Sequence, residues 1–118
     1  MRPNRLLLQD MLEAIGEVLD TTPPTQADFD ADKLVRSHIL RHIQIIGEVA
    51  WRLSPALKDR NPQVPWKQIA GIRHVLVHDS FQVNWARLYE TARHQVPALK
   101  PMIERILDAL PPKENDAQ

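Results

Sequence analysis

Apolar residues recur along this chain at intervals of three and four, the spacing of one face of a helix. Leu8, Met11, Leu12, Ile15, Val18 and Leu19 form such a stripe and predict a first helix from about Arg5 to Leu19. Thr21-Thr22-Pro23-Pro24-Thr25 ends it, because consecutive prolines lack the amide donors that a helix needs. A second predicted helix begins near Asp28 or Asp30 and runs to about Leu53, with Val35, Ile39, Ile46, Val49 and Leu53 facing inward. Ser54-Pro55 closes it. Asn61-Pro62-Gln63-Val64-Pro65 reads as an extended connector, since residues before proline avoid the helical region. A shorter third helix is expected from about Trp66 to His78. Asn84 is a candidate N-cap for the last helix, which carries Trp85, Leu88, Ala92, Val96, Leu99, Ile103, Ile106 and Leu110 on one face. Pro97 and Pro101 fall inside it and predict a kink or a short break. The acids Asp28, Asp30 and Asp32 sit at a helix start, where the dipole favours them, and are read as structural. No Asn-Gly or Asp-Gly pair separates alternating apolar runs, so no hairpin is signalled. The fold class is therefore all-α, a bundle of four main helices in one domain over residues 1–110, with a polar tail at 111–118 expected to be disordered.

Composition narrows the setting. A chain of 118 residues is one domain by length and large enough to bury a core without staples. Cysteine is absent, which removes disulfides and thiolate metal sites and permits a reducing compartment. Gln9, Asp10 and Glu13 interrupt the apolar run after Arg5 too early for a signal peptide, and nothing approaches the length of a membrane span. A cytoplasmic protein is expected. Fifteen basic and fifteen acidic residues cancel, which argues against an extended nucleic-acid groove and leaves a compact site open.

The candidate chemistry is concentrated between Trp66 and Ser80. Arg73 and His78 stand five positions apart, with His74 and Asp79 beside them. Cleavage of RNA through its own 2′-hydroxyl needs a base, an acid and a cation on the phosphate, and no metal or protein nucleophile. Histidine suits the proton transfers and arginine the phosphate oxygens. Two copies of the histidine facing each other in a homodimer would divide the acid and base roles. On an ideal helix Arg73 and His78 would point roughly 140° apart. Hence the helix ends by His78, or the arginine reaches around, or the pair is completed across a dimer. The competing reading is a solvated Arg73 and a His78 that merely favours a helix C-terminus. His74 and His78 could instead ligate a metal with Asp79 nearby, joined by the similar pair His38 and His42. For His42, near the centre of an apolar face, a hydrogen-bonded core or interface role is the simpler alternative. Trp51, Trp66 and Trp85 are read as core or interface anchors. Gly47 is read as permitting close helix approach, and Glu48 as a solvated or interhelical polar residue.

The chain resembles the HEPN superfamily, specifically the HepT-like toxins of HEPN/minimal-nucleotidyltransferase toxin–antitoxin pairs. The resemblance rests on Leu7 to Ile15, on Ile45-Ile46-Gly47-Glu48-Val49-Ala50, on Pro65 to Arg73 with His78, and on Trp85 with the long final helix. It implies a homodimeric helical bundle in which the Arg-x4-His motifs of two protomers meet in a cleft. It also implies metal-independent endoribonuclease activity without a cofactor: Arg73 would stabilise the scissile phosphate and His78 would transfer protons, with His74 and Asp79 as possible assistants. RNA would be the substrate and a small nucleotidyltransferase antitoxin the partner; no membrane partner is expected, given the lack of a span-length apolar run. In such systems the partner can adenylylate a tyrosine two residues after the motif histidine. Here that position holds Ser80, and the only tyrosine is Tyr89. Two other readings remain open: a non-catalytic module that binds a nucleotidyltransferase or a nucleotide, and a histidine-ligated metal-binding bundle.

Overall fold

The structure, a computed structural model, describes residues 2–72, 74, 77–79 and 82–111, with the backbone alone at 77–79. Helix α1 spans Asn4–Thr21, and Leu7, Leu8, Met11, Ile15 and Val18 are buried along it, as their spacing requires. Its partner, α3, spans Lys33–Arg52 and turns Ile39, Ile43, Ile46 and Val49 to the same core. These two helices pack along their length, and the last helix completes the layer against α1. The described residues confirm the all-α class, with one short strand pair added.

The expected second helix is two helices. Helix α2, Gln26–Ala31, is capped by the Thr25 hydroxyl, which accepts from the Asp28 amide at 3.1 Å. Asp32 leaves helical geometry at φ −114° and ψ 95°, and its carboxylate accepts from the Val35 amide to start α3. An aspartate that caps a new helix this well competes with continuing the old one. Phe29 of α2 is fully buried, 5.1 Å from the Tyr89 ring, while the Tyr89 hydroxyl donates to the Pro23 carbonyl at 2.9 Å.

Ser54-Pro55 closes α3 and also opens a helix, α4, Pro55–Arg60, within the stretch before the expected connector. The Ser54 hydroxyl accepts from the Leu57 amide, and Pro55 needs no partner at the first position. The buried Asn4 side chain donates to the Ser54 hydroxyl at 2.9 Å and accepts from the Ser54 amide at 3.0 Å. This exchange ties the start of α1 to the α3–α4 corner.

Helix α5 is short, Trp66–Ala70, and Gly71 follows it as a turn whose amide bonds the Lys67 carbonyl at 3.0 Å. Ile72 and His74 are again helical. The chain then extends: β1, Val77–Asp79, pairs antiparallel with β2, Gln82–Val83, placing Val77 opposite Val83. The expectation of a helix from Trp66 to His78 is thus corrected. A glycine at the C-cap and the β-branched Val77 opposite Val83 favour extended pairing over another helical turn.

Asn84 caps α6, Trp85–Glu90, as its position predicts, accepting from the Arg87 amide at 3.0 Å. A π-helical turn, Thr91–Gln95, leads into α7, Val96–Ala109. The expected break is therefore real and falls immediately before Pro97. The Val96 amide reaches back five residues to the Thr91 carbonyl, a wider turn that eases the ring of Pro97 past the carbonyl four residues earlier. At the far end Arg5 donates to the carbonyls of Leu110 and Pro111, so Pro111 is held, while 112–118 of the expected tail lie outside the described residues. No helix among the described residues is long and apolar enough to cross a membrane.

Candidate active site

The site begins with a glycine. A β-carbon on Gly47 would stand 3.0 Å from the Ile69 carbonyl oxygen and 3.0 Å from Ile72 Cγ2. Its absence lets the backbone of α5 sit directly on α3, as the sequence anticipated. Beyond that crossing, Gln44, Gly47, Glu48, Trp51 and Arg52 of α3 join Ala70 and His74 around an open concavity of about 450 Å³.

The chemistry of this surface is mixed and wet. Glu48 and Arg52, one helical turn apart, form an exposed ion pair at 3.4 Å. Its value to stability is small at such exposure. Trp51 is 67% exposed, unusual for so large an apolar ring. His74 is exposed, and its amide bonds the Gly71 carbonyl at 3.0 Å. The lining thus offers a carboxylate, a guanidinium, an imidazole and a ring on which a base or a partner side chain could stack.

Of the residues singled out by sequence, His74 lies on this concavity. His78 and Asp79 follow on β1, where their backbone is described, and Arg73 and Ser80 lie outside the described residues. The tryptophans part ways. Trp66 is in the core with its indole donating to the Asn61 carbonyl, and Trp85 is half-buried with Arg36 4.8 Å above its ring. Only Trp51 is left to serve a surface. Gln44, Trp51 and Arg52 were not marked as site residues by the sequence reading. Their signal was available: they share with Glu48 the face of α3 that lies off the apolar stripe. The four-histidine cluster is not assembled among the described residues, where His38 and His42 group with Glu17 and without His74.

Comparison with known proteins decides the lineage. A family profile described as ribonuclease HepT-like matches residues 11–106, most of the chain and all of the surface just described. The chain belongs to the ribonuclease HepT-like family. Proteins named as ribonucleases align with it. A Methanocaldococcus jannaschii protein named "Putative RNase" is 26% identical over 98% of this chain and 97% of its own. A Thermococcus cleftensis protein named "Probable ribonuclease HepT" is 30% identical over 89% of this chain and 96% of its own. A "Putative RNase" of Caldanaerobacter subterraneus is 35% identical over 68% of this chain and 71% of its own. No solved structure gives a significant match.

Proposed function

We propose that this HepT-like chain is a metal-independent endoribonuclease that acts as a homodimer and serves as the toxin of a toxin–antitoxin pair. The observation that carries the reading is the family match across residues 11–106, which includes Arg73 and His78 in their expected spacing. In this reading the 2′-hydroxyl of RNA attacks the adjacent phosphorus and the 5′-oxygen leaves. The products are a 2′,3′-cyclic phosphate and a free 5′-hydroxyl. His78 of one protomer accepts the 2′-proton, and the same residue of the second copy protonates the leaving oxygen. Arg73 stabilises the charge on the phosphorane with its planar fork. His74, on the concavity beside Glu48 and Arg52, supports this placement of the reaction, and the exposed Trp51 supports a second chain at its rim.

The partner in this reading is a minimal nucleotidyltransferase. With Ser80 where the family's modified tyrosine would stand, it neutralises the toxin by covering the cleft. The test is cleavage of a mixed RNA pool by tag-free protein in EDTA. Activity is expected to persist in EDTA and to fall at least a hundredfold in both Arg73→Ala and His78→Ala, in line with the loss of one acid–base or charge-stabilising group. Folded, dimeric wild-type protein that leaves every RNA intact would overturn it.

A further inference from the structure

We infer that Glu17, His38 and His42 form a binding site for a borderline divalent cation, best suited to Zn²⁺, on the seam between α1 and α3. His38 and His42 are one turn apart on α3, and their ring centroids lie 4.2 Å apart. Glu17 meets them from α1, its Oε1 3.0 Å from His38 Nε2. One donor atom from each of the three lies within 4.8 Å of the others. Two imidazoles and a carboxylate are a donor set for Zn²⁺ and its first-row neighbours, whereas Mg²⁺ and Ca²⁺ prefer oxygen alone.

The protonation pattern points the same way. His42 Nδ1 lies 2.8 Å from the His38 carbonyl, which can only accept, so Nδ1 is the donor and Nε2 is the nitrogen whose lone pair the neutral ring offers to an ion. A backbone carbonyl holding the far nitrogen of an imidazole is the usual support behind a metal-ligating histidine. His38 now shares its Nε2 proton with Glu17. Metal binding replaces that proton, which moves to Nδ1 in a neutral ring or leaves to solvent from a charged one. Glu17 and His38 are 46% and 36% exposed, so an ion can reach them and water can fill the remaining positions. Zinc bonds of about 2.0–2.1 Å require the donors to close further, a movement that these half-exposed side chains can supply. Bound there, the ion would staple the two longest α-helices.

The experiment uses tag-free protein stripped with EDTA and dialysed, with ZnCl₂ alone as the probe. Calorimetry should give one ion per chain. The melting temperature should rise by on the order of 10 °C at a hundredfold excess over Kd. Glu17→Gln should weaken binding at least tenfold, and the His38→Gln/His42→Gln double variant should abolish it. No heat and no melting shift at 0.1 mM ZnCl₂ (roughly a hundredfold excess for a micromolar site) overturns the site. So does stoichiometric binding retained by the double variant, which would put the ion elsewhere. Should the double variant not fold, zinc-edge absorption of the wild type decides, since fewer than two imidazole ligands rejects the assignment. None of these readouts depends on RNA cleavage.

Discussion

Gly47 shows how much one hydrogen atom in place of a methyl can hold. In an exposed helix, alanine in place of glycine gains about 1 kcal/mol. At Gly47 the new methyl would meet a backbone carbonyl and a branched side chain at 3.0 Å each, so α5 would have to lift from α3. Gly47→Ala is expected to destabilise the protein by about 1–3 kcal/mol, read as a lower urea midpoint. Gly16→Ala, with nothing within 4 Å, should raise that midpoint. A Gly47→Ala protein as stable as the Gly16→Ala one would refute the close-approach account. At this scale some local signals were legible: Asn84 caps α6, and Gly47 follows the rule that a missing side chain marks a crossing. The Asp32 cap was not drawn from the sequence, which ran one helix through it. The exchange between Asn4 and Ser54 was illegible, because fifty residues separate two groups that only the folded chain brings together.

Helices long enough to repeat their apolar stripe were readable, and of those shorter than two turns α4 was missed and α5 was started correctly at Trp66 but run too far. Helices α4 and α5 hold six and five residues, and strands β1 and β2 three and two, too few for any period to register. Their signals are local instead. Ser54-Pro55 carries two meanings at once, stop for α3 and start for α4, and only the first was drawn from it. Ser54, just past the end of α3, joins α1 and α4 through one hydroxyl, which accepts from both Leu57 and Asn4. Ser54→Ala should therefore cost more than an ordinary cap, about 2 kcal/mol, because it also removes the hydroxyl's bond to the buried Asn4 amide. Chemical denaturation measures it; a loss below about 0.5 kcal/mol, the bottom of the cap range, would show that the corner does not depend on this bond. The helix expected to carry the Arg73–His78 stretch stops at Ala70, and the spacing argument that set the two residues roughly 140° apart assumed one continuous helix.

For the whole molecule, two long helices and a composite third enclose the core, and the surface is not indifferent. Trp51 stands out of the core at the edge of the concavity that holds His74. In the dimeric reading it is an anchor at the shared cleft, where tryptophan is enriched among residues that dominate association. Trp51→Glu should shift sedimentation from dimer to monomer, leave the helical circular dichroism intact and abolish RNA cleavage. A variant that stays dimeric at micromolar concentration would move the interface to another face. The fold class was legible from periodicity alone. The candidate site could be marked in the sequence only as a stretch of chain and not as a surface, because Glu48 and Arg52 come to His74 only through the α3–α5 crossing.

The π turn also changes how the last rod counts. Leu88, Ala92 and Val96 follow one another at two successive intervals of four, and eight residues of regular α-helix would carry the stripe roughly 80° past its starting face. The one extra residue per turn at Thr91–Gln95 absorbs that excess, so Leu99, Ile103 and Ile106 arrive facing the core. The turn behaves as an insertion already accommodated, and removing it should keep the downstream register, at the cost of setting the Pro97 ring against the carbonyl one turn back. Deleting Arg93 is expected to lower the melting temperature far less than deleting Lys100, where no spare residue exists and Ile103 and Ile106 would swing out of the core.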